Sequence, residues 1–252
     1  MKVQKNQLMS LLLGLLFVSC TAQIKTNEDP GFRSSDDLKI TSVKVTYDSD
    51  LEHHIFDIRV KGKAGESTPK AVGSVDGAPV LGYVFPTSLK SSDIGFSQVE
   101  GIVAMALTSH PDFDDTPLWD EDMDGDPTNT AEGVIWHPHW VVLVQDERVP
   151  GGLSVKSLDV DNKDLKRPTT FPGMPIYLDS PGFNVVTKGN SIKVVIPTFR
   201  MKNVTEFSFD GVAAYMQVNT GWKEKNMPML GVYAVYSVAS GDLSLPYKVE
   251  KK

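Results

Sequence analysis

Five histidines and one dense run of carboxylates are the groups in this sequence best equipped for chemistry. His110, His137 and His139 bracket the carboxylate run, while His53 and His54 stand apart from it. In Ile135-Trp136-His137-Pro138-His139-Trp140 the two imidazoles are two residues apart. On a strand they therefore leave one face together, with Cβ atoms ~7 Å apart at a rise of ~3.3 Å per residue, a span that two imidazoles can bridge to one ion. If the strand ending at His110 lies beside the strand carrying His137, the three rings form a site for zinc or another borderline metal. The spacing is not that of a metalloprotease helix, because no His-Glu-x-x-His occurs, and the first acid beyond His139 is Asp146. Pro138 removes a ladder donor between the two rings and predicts an edge strand or a bulge. The plainer alternative makes these rings hydrogen-bonding partners of the acidic run or ordinary surface residues. His54, in line with Phe56 and Ile58, reads as a core residue.

From Ser91 to Glu147 there is no Lys or Arg and there are thirteen Asp or Glu, eight of them between Asp112 and Asp126. Two carboxylates ~5 Å apart at an effective dielectric of ~20 repel by about 3 kcal/mol, so a compact loop of this kind needs a cation or stays extended in water. In Asp120-Glu121-Asp122-Met123-Asp124-Gly125-Asp126, carboxylates recur at alternate positions and Gly125 permits a sharp return of the chain. This run resembles the first half of an EF-hand loop, and more closely the isolated Asp-x-Asp-x-Asp-Gly calcium loops of extracellular proteins. The second half departs from an EF-hand, with Ala131 where the bidentate acid belongs, Glu132 one place later and Pro127 inside the loop. The resemblance implies a calcium ion held by Asp120, Asp122, Asp124 and Asp126, with Glu132 reaching it from the next strand, and a structural role for that ion.

The amino-terminal residues form an address. Lys2 and Lys5 precede an apolar run from Leu8 to Val18, followed by Ser19 and Cys20. Eleven helical residues span about 16 Å, too short for a ~30 Å hydrocarbon core, which is the pattern of a secretory signal peptide. Phe17-Val18-Ser19-Cys20 resembles the lipobox of bacterial lipoprotein precursors, apart from Phe17, where Leu or Val is usual. The resemblance implies lipidation of Cys20 and anchoring in the outer membrane of a Gram-negative cell; cleavage after Ala22 is the alternative. Residues 1–19 are then the signal peptide, 20–38 a flexible tether and 39–247 the folded domain.

The elements that must position these groups read as strands. Val43, Val45 and Tyr47 alternate with polar neighbours, as do His54, Phe56, Ile58 and Val60. Residues 99–107 and 133–144 are apolar on both faces, as in central strands. Lys188-Gly189-Asn190-Ser191 marks a hairpin between two more strands, and only 87–97 has room for a short helix. The fold predicted is an all-β antiparallel β-sandwich, of jelly-roll or immunoglobulin-like kind, with one long acidic loop; two smaller sandwiches joined at Pro150-Gly151-Gly152 are the alternative.

Composition narrows the function. A content of 40% hydrophobic and 23% charged residues is that of a globular chain, and a formal charge of −7 excludes a basic nucleic-acid binder. The single Cys excludes an intramolecular disulfide framework and a thiolate zinc cage. Trp136 and Trp140 read as core, or else as a platform for a sugar ring beside the calcium. The leading reading is a calcium-stabilised envelope lipoprotein acting as a binding or structural module for a glycan or protein ligand. The alternatives are a metal-dependent hydrolase or lyase, with the metal on His110, His137 and His139 and Glu132 or a loop Asp as base, and a periplasmic metal-handling protein.

Overall fold

Strands that are apolar on both faces need two cores, and this chain supplies them. The computed structural model describes residues 31–113, 135–223 and 226–252. Its strands in chain order are β1 (Ile40–Asp48), β2 (His53–Val60), β3 (Pro79–Pro86), β4 (Ile102–Ser109), β5 (His137–Gln145), β6 (Leu153–Val155), β7 (Leu178–Asp179), β8 (Asn184–Lys188), β9 (Ser191–Pro197), β10 (Ser208–Phe209), β11 (Val212–Val218), β12 (Leu230–Val238), β13 (Tyr247–Lys248) and β14 (Glu250–Lys251). Strands β3, β4, β5, β6, β12 and β11 pair edge to edge, each antiparallel to its neighbours, and β4 pairs with β5 from Ile102–Leu143 to Thr108–His137. That last pairing closes the ring. The result is a six-stranded antiparallel β-barrel, with β7 added on β5 beside β6.

The barrel corrects the predicted sandwich. All-β and antiparallel were legible, but the two-sided apolar strands are not the middle strands of two stacked sheets. Their inner faces line the barrel: Val80 and Val84 of β3, Ala104 and Ala106 of β4, and Val141 and Leu143 of β5 belong to one buried cluster with Ala214, Met216 and Val232. Barrel diameter grows with strand number, so six strands enclose only a narrow space, lined by small and aliphatic side chains. Their outer faces form the second core. Leu81, Tyr83, Phe85, Val103, Met105 and Trp140 meet Phe56, Ile58, Val194 and Ile196 from a separate five-stranded sheet, ordered β14-β1-β2-β9-β8. Phe56 sits edge-on to both Phe85 and Trp140, with ring centroids 5.2 and 6.2 Å apart.

Local signals were met where they were local. The hairpin between β8 and β9 turns at Gly189, whose φ of +62° suits a residue without Cβ. The short helix foreseen within 87–97 is one 3-10 turn, Ser91–Ile94. Pro150-Gly151-Gly152 is the turn between β5 and β6, two hydrogen-bonded neighbours in the barrel. Trp136 and Trp140 are buried in the core between barrel and sheet, so neither is an open sugar platform.

His54 is fully buried, lies between the rings of Tyr47 and Phe207, and has Nδ1 3.2 Å from the Thr198 hydroxyl. Burial pulls its pKa down from 6.5 to about 4, against a small opposing effect from the Thr205 backbone. The unfolded chain thus takes a proton near pH 6.5 that the folded chain refuses until about pH 4. The stability His54 contributes is present above pH 6.5 and is lost as pH falls toward 4. Thermal melts of wild type and His54→Phe between pH 7.5 and 4 check this: the variant should lose about 3 kcal/mol less over that window. Parallel pH curves would contradict it.

Candidate metal centre

The β4–β5 pairing meets the condition on which the three-histidine site depended. Thr108 is the register partner of His137 and Ala106 that of His139, so the end of β4 lies against the start of β5. His137 and His139 leave the same face of β5, and that face looks into the barrel. His110, one residue past β4, turns in beside them. All three are buried, at 1, 4 and 2% exposure for His110, His137 and His139. One ligand nitrogen from each lies within 4.8 Å of the other two.

Each ring is oriented through its Nδ1. His110 Nδ1 donates to the Phe113 carbonyl at 2.8 Å, and Phe113 folds back so that its ring stacks on the imidazole at 4.0 Å. His137 Nδ1 donates to the Ile135 carbonyl at 2.6 Å. His139 Nδ1 lies 3.1 Å from the Ser180 hydroxyl, just beyond β7. A carbonyl only accepts, so the first two contacts place the proton on Nδ1 and leave the lone pair on Nε2. Those two Nε2 atoms then face each other at 2.9 Å. Two lone pairs at that distance repel unless a cation lies with them. A second ring N–H held by a carbonyl or hydroxyl is the usual support of a metal-bound imidazole.

The donor set fits a transition ion. Ligand nitrogens of a tetrahedral ion with bonds of ~2.1 Å stand ~3.4 Å apart. The 2.9 Å pair and the 4.8 Å limit bracket that spacing. Among the described residues the donor set is three imidazoles without a thiolate, the protein ligand number of catalytic rather than structural zinc.

Among the described residues the surroundings are mostly apolar. A cavity of about 100 Å³ inside the barrel is lined by aliphatic side chains such as Val80, Val141, Met216 and Val232, and His110, His139, Thr108 and Phe113 also line it. The Thr108 hydroxyl stands 3.4 Å from His137 Nε2.

The acidic groups divide. Asp112 accepts from the backbone N–H of Val72 and Gly73 at 3.0 and 2.8 Å, so this carboxylate ties a neighbouring loop. Asp146, at the opposite end of β5, is clamped by Arg148 through 2.8 and 2.6 Å contacts and by the Ser154 hydroxyl at 2.7 Å. Arg148 holds its carboxyl below the usual carboxylate range. The predicted calcium ligands Asp120, Asp122, Asp124, Asp126 and Glu132 lie outside the described residues, as do Cys20 and the leader. The metal-competent cluster found among the described residues is built of nitrogen donors, which select a borderline transition ion rather than calcium.

The expected edge position of Pro138 is met locally. There β5 pairs with β4 through Leu107, while β7 first pairs with β5 at Trp140. Sequence reasoning missed Thr108, Phe113 and Ser180. Phe113 was within reach, three residues from His110 across a Pro-containing turn. Ser180 was not, because a hydroxyl delivered from 41 residues away leaves no local pattern.

No protein-family model, curated protein or solved structure matches this chain.

Metal titration of the chelator-stripped protein checks the centre. One equivalent of Zn²⁺ or Co²⁺ should bind, bound Co²⁺ should show the intense visible bands of a low-coordinate site, and His137→Ala should weaken binding at least a hundredfold. Binding should also weaken as pH falls, because protons compete for the imidazoles. Undiminished binding in His137→Ala would contradict the assignment.

Proposed function

We propose that this protein is a metal-dependent hydrolase or lyase whose ion is held by His110, His137 and His139 inside the β-barrel. The observation that carries the proposal is the convergence of three buried imidazoles within 4.8 Å at an apolar cavity. This replaces the leading expectation from sequence, a calcium-stiffened sandwich acting as a binding or structural module: the fold is a barrel, and its chemistry-bearing cluster belongs to histidines.

Zinc in a three-imidazole site supplies a Lewis acid and lowers the pKa of a water it binds to about 7. The protein's own residues supply the rest. Phe113, Ile135 and Ser180 fix the ring orientations through Nδ1. The aliphatic barrel wall keeps bulk water away and strengthens every charge interaction at the site. The Thr108 hydroxyl is the polar group beside His137 able to accept or donate a hydrogen bond near the reacting atoms. A cavity of about 100 Å³ selects a small, uncharged substrate with an electrophilic carbon. Together with the leader read above, the proposal places this activity on a chain tethered to the cell envelope through Cys20, which Cys20→Ser should release.

Two assays test the proposal: pH-stat hydrolysis of ethyl acetate and stopped-flow hydration of carbon dioxide. The expected result is metal-dependent turnover in one of them, rising with pH around neutrality. It should vanish in His139→Ala and on chelation, and return with Zn²⁺. A protein that binds one ion yet turns over neither substrate, or that keeps its activity in His139→Ala, would overturn it.

A further inference from the structure

The outer face of the β5–β7 pair carries a second site. Trp140 and Asp179 are register partners, on the side of the strands opposite the imidazoles, and both line a surface cleft of about 430 Å³. Its walls join apolar and cationic groups: Phe183 and Phe199 with Arg167, Arg200 and Lys202. Phe199 is 68% exposed, so its ring is free to meet a ligand from solvent.

The guanidinium groups are held by rings and by neutral oxygens, and Arg200 also acts on the Asp179 carboxylate across the cleft. Arg200 lies over the Phe183 ring at 5.5 Å and reaches the Thr170 hydroxyl at 3.4 Å. Arg167 lies over Phe171 at 5.5 Å while its Nη2 donates to the carbonyls of Asp159, Val160 and Asn162 at 3.1, 2.7 and 2.9 Å. None of Arg167, Arg200 and Lys202 forms an ion pair with a carboxylate among the described residues. Two buried N–H groups of cleft residues, Trp140 Nε1 and Arg167 Nε, also meet no acceptor there. A buried donor left unpaired costs about 1–3 kcal/mol, which an acceptor brought by a ligand recovers.

The two carboxylates in the cleft are already engaged. Asp93 accepts from the Lys90 backbone N–H at 2.8 Å, and Asp179 accepts from the Thr170 hydroxyl at 2.8 Å. Burial raises the Asp179 pKa to about 6 against the opposing pull of Thr170 and Arg200, so this carboxylate stays mostly charged at neutral pH and is engaged by both. On a chain of formal charge −7, this leaves a concave patch rich in cationic donors and flanked by flat apolar rings.

We propose that this cleft binds a small organic carboxylate with a flat apolar body, the carboxylate on Arg200 and the body between Phe183 and Phe199. A planar carboxylate matches the guanidinium fork, and rings match a ring-shaped body. The site is independent of the metal centre, which opens into the barrel on the other face of β5.

Benzoate is the probe, titrated by calorimetry into the full chain, with benzyl alcohol as the uncharged comparison. Saturable one-site binding is expected, at least tenfold weaker for benzyl alcohol, for Arg200→Gln and for the surface variant Phe199→Ala. It should be unchanged in His139→Ala, which separates this cleft from benzoate on a metal ion. No saturable binding, equal affinity in Arg200→Gln, or loss in His139→Ala would overturn the proposal.

Discussion

The pairing of β4 with β5 is the constraint on which the rest of the structure depends. Seven register pairs, from Ile102–Leu143 to Thr108–His137, convert an open sheet into a closed barrel. The same pairs bring His110 to His137 and His139 across the sequence separating the two strands. Closure and site assembly are therefore one event. A slip of one residue in this register would turn His137 and His139 out toward Trp140's side and place aromatic rings in the narrow lumen, so both packing and the metal centre select the observed alignment.

That coupling explains why the interior looks as it does. The lumen is narrow and lined by Ala, Val and other aliphatic side chains around its cavity, and the imidazoles stand at its end. Backbone carbonyls and one hydroxyl take the outer nitrogens. The Nε2 atoms of His110 and His137 face each other at 2.9 Å. One divalent ion between them would satisfy both nitrogens together. The second sheet acts from outside: Phe56 against Phe85 and Trp140 holds β3 and β5 in place from behind.

Much of this was legible in the residues. Period-two runs gave the long strands, Gly189 gave a hairpin, and the His-x-His spacing gave two ligands on one face. The fold beyond that was not legible, because apolarity on both faces of β3, β4, β5 and β11 is equally consistent with a sandwich interior. What distinguishes the two is residue size on one face, seen in Ala104, Ala106 and Ala214, which face the barrel interior together. The acidic run drew attention because its charges are dense, yet Asp112 serves a neighbouring backbone turn and Asp146 an arginine clamp. The histidines were the weaker pattern in sequence, because their third member depends on a strand pairing that no local spacing encodes.

The central claim, that the closed barrel is built to hold an ion between its three inner imidazoles, is tested most directly by a crystal structure of zinc-loaded protein with anomalous data at the zinc edge. The account predicts a single strong peak at bonding distance, ~2.1 Å, from one nitrogen each of His110, His137 and His139. A peak elsewhere, with His110 and His137 still facing each other across a shared proton, would contradict it.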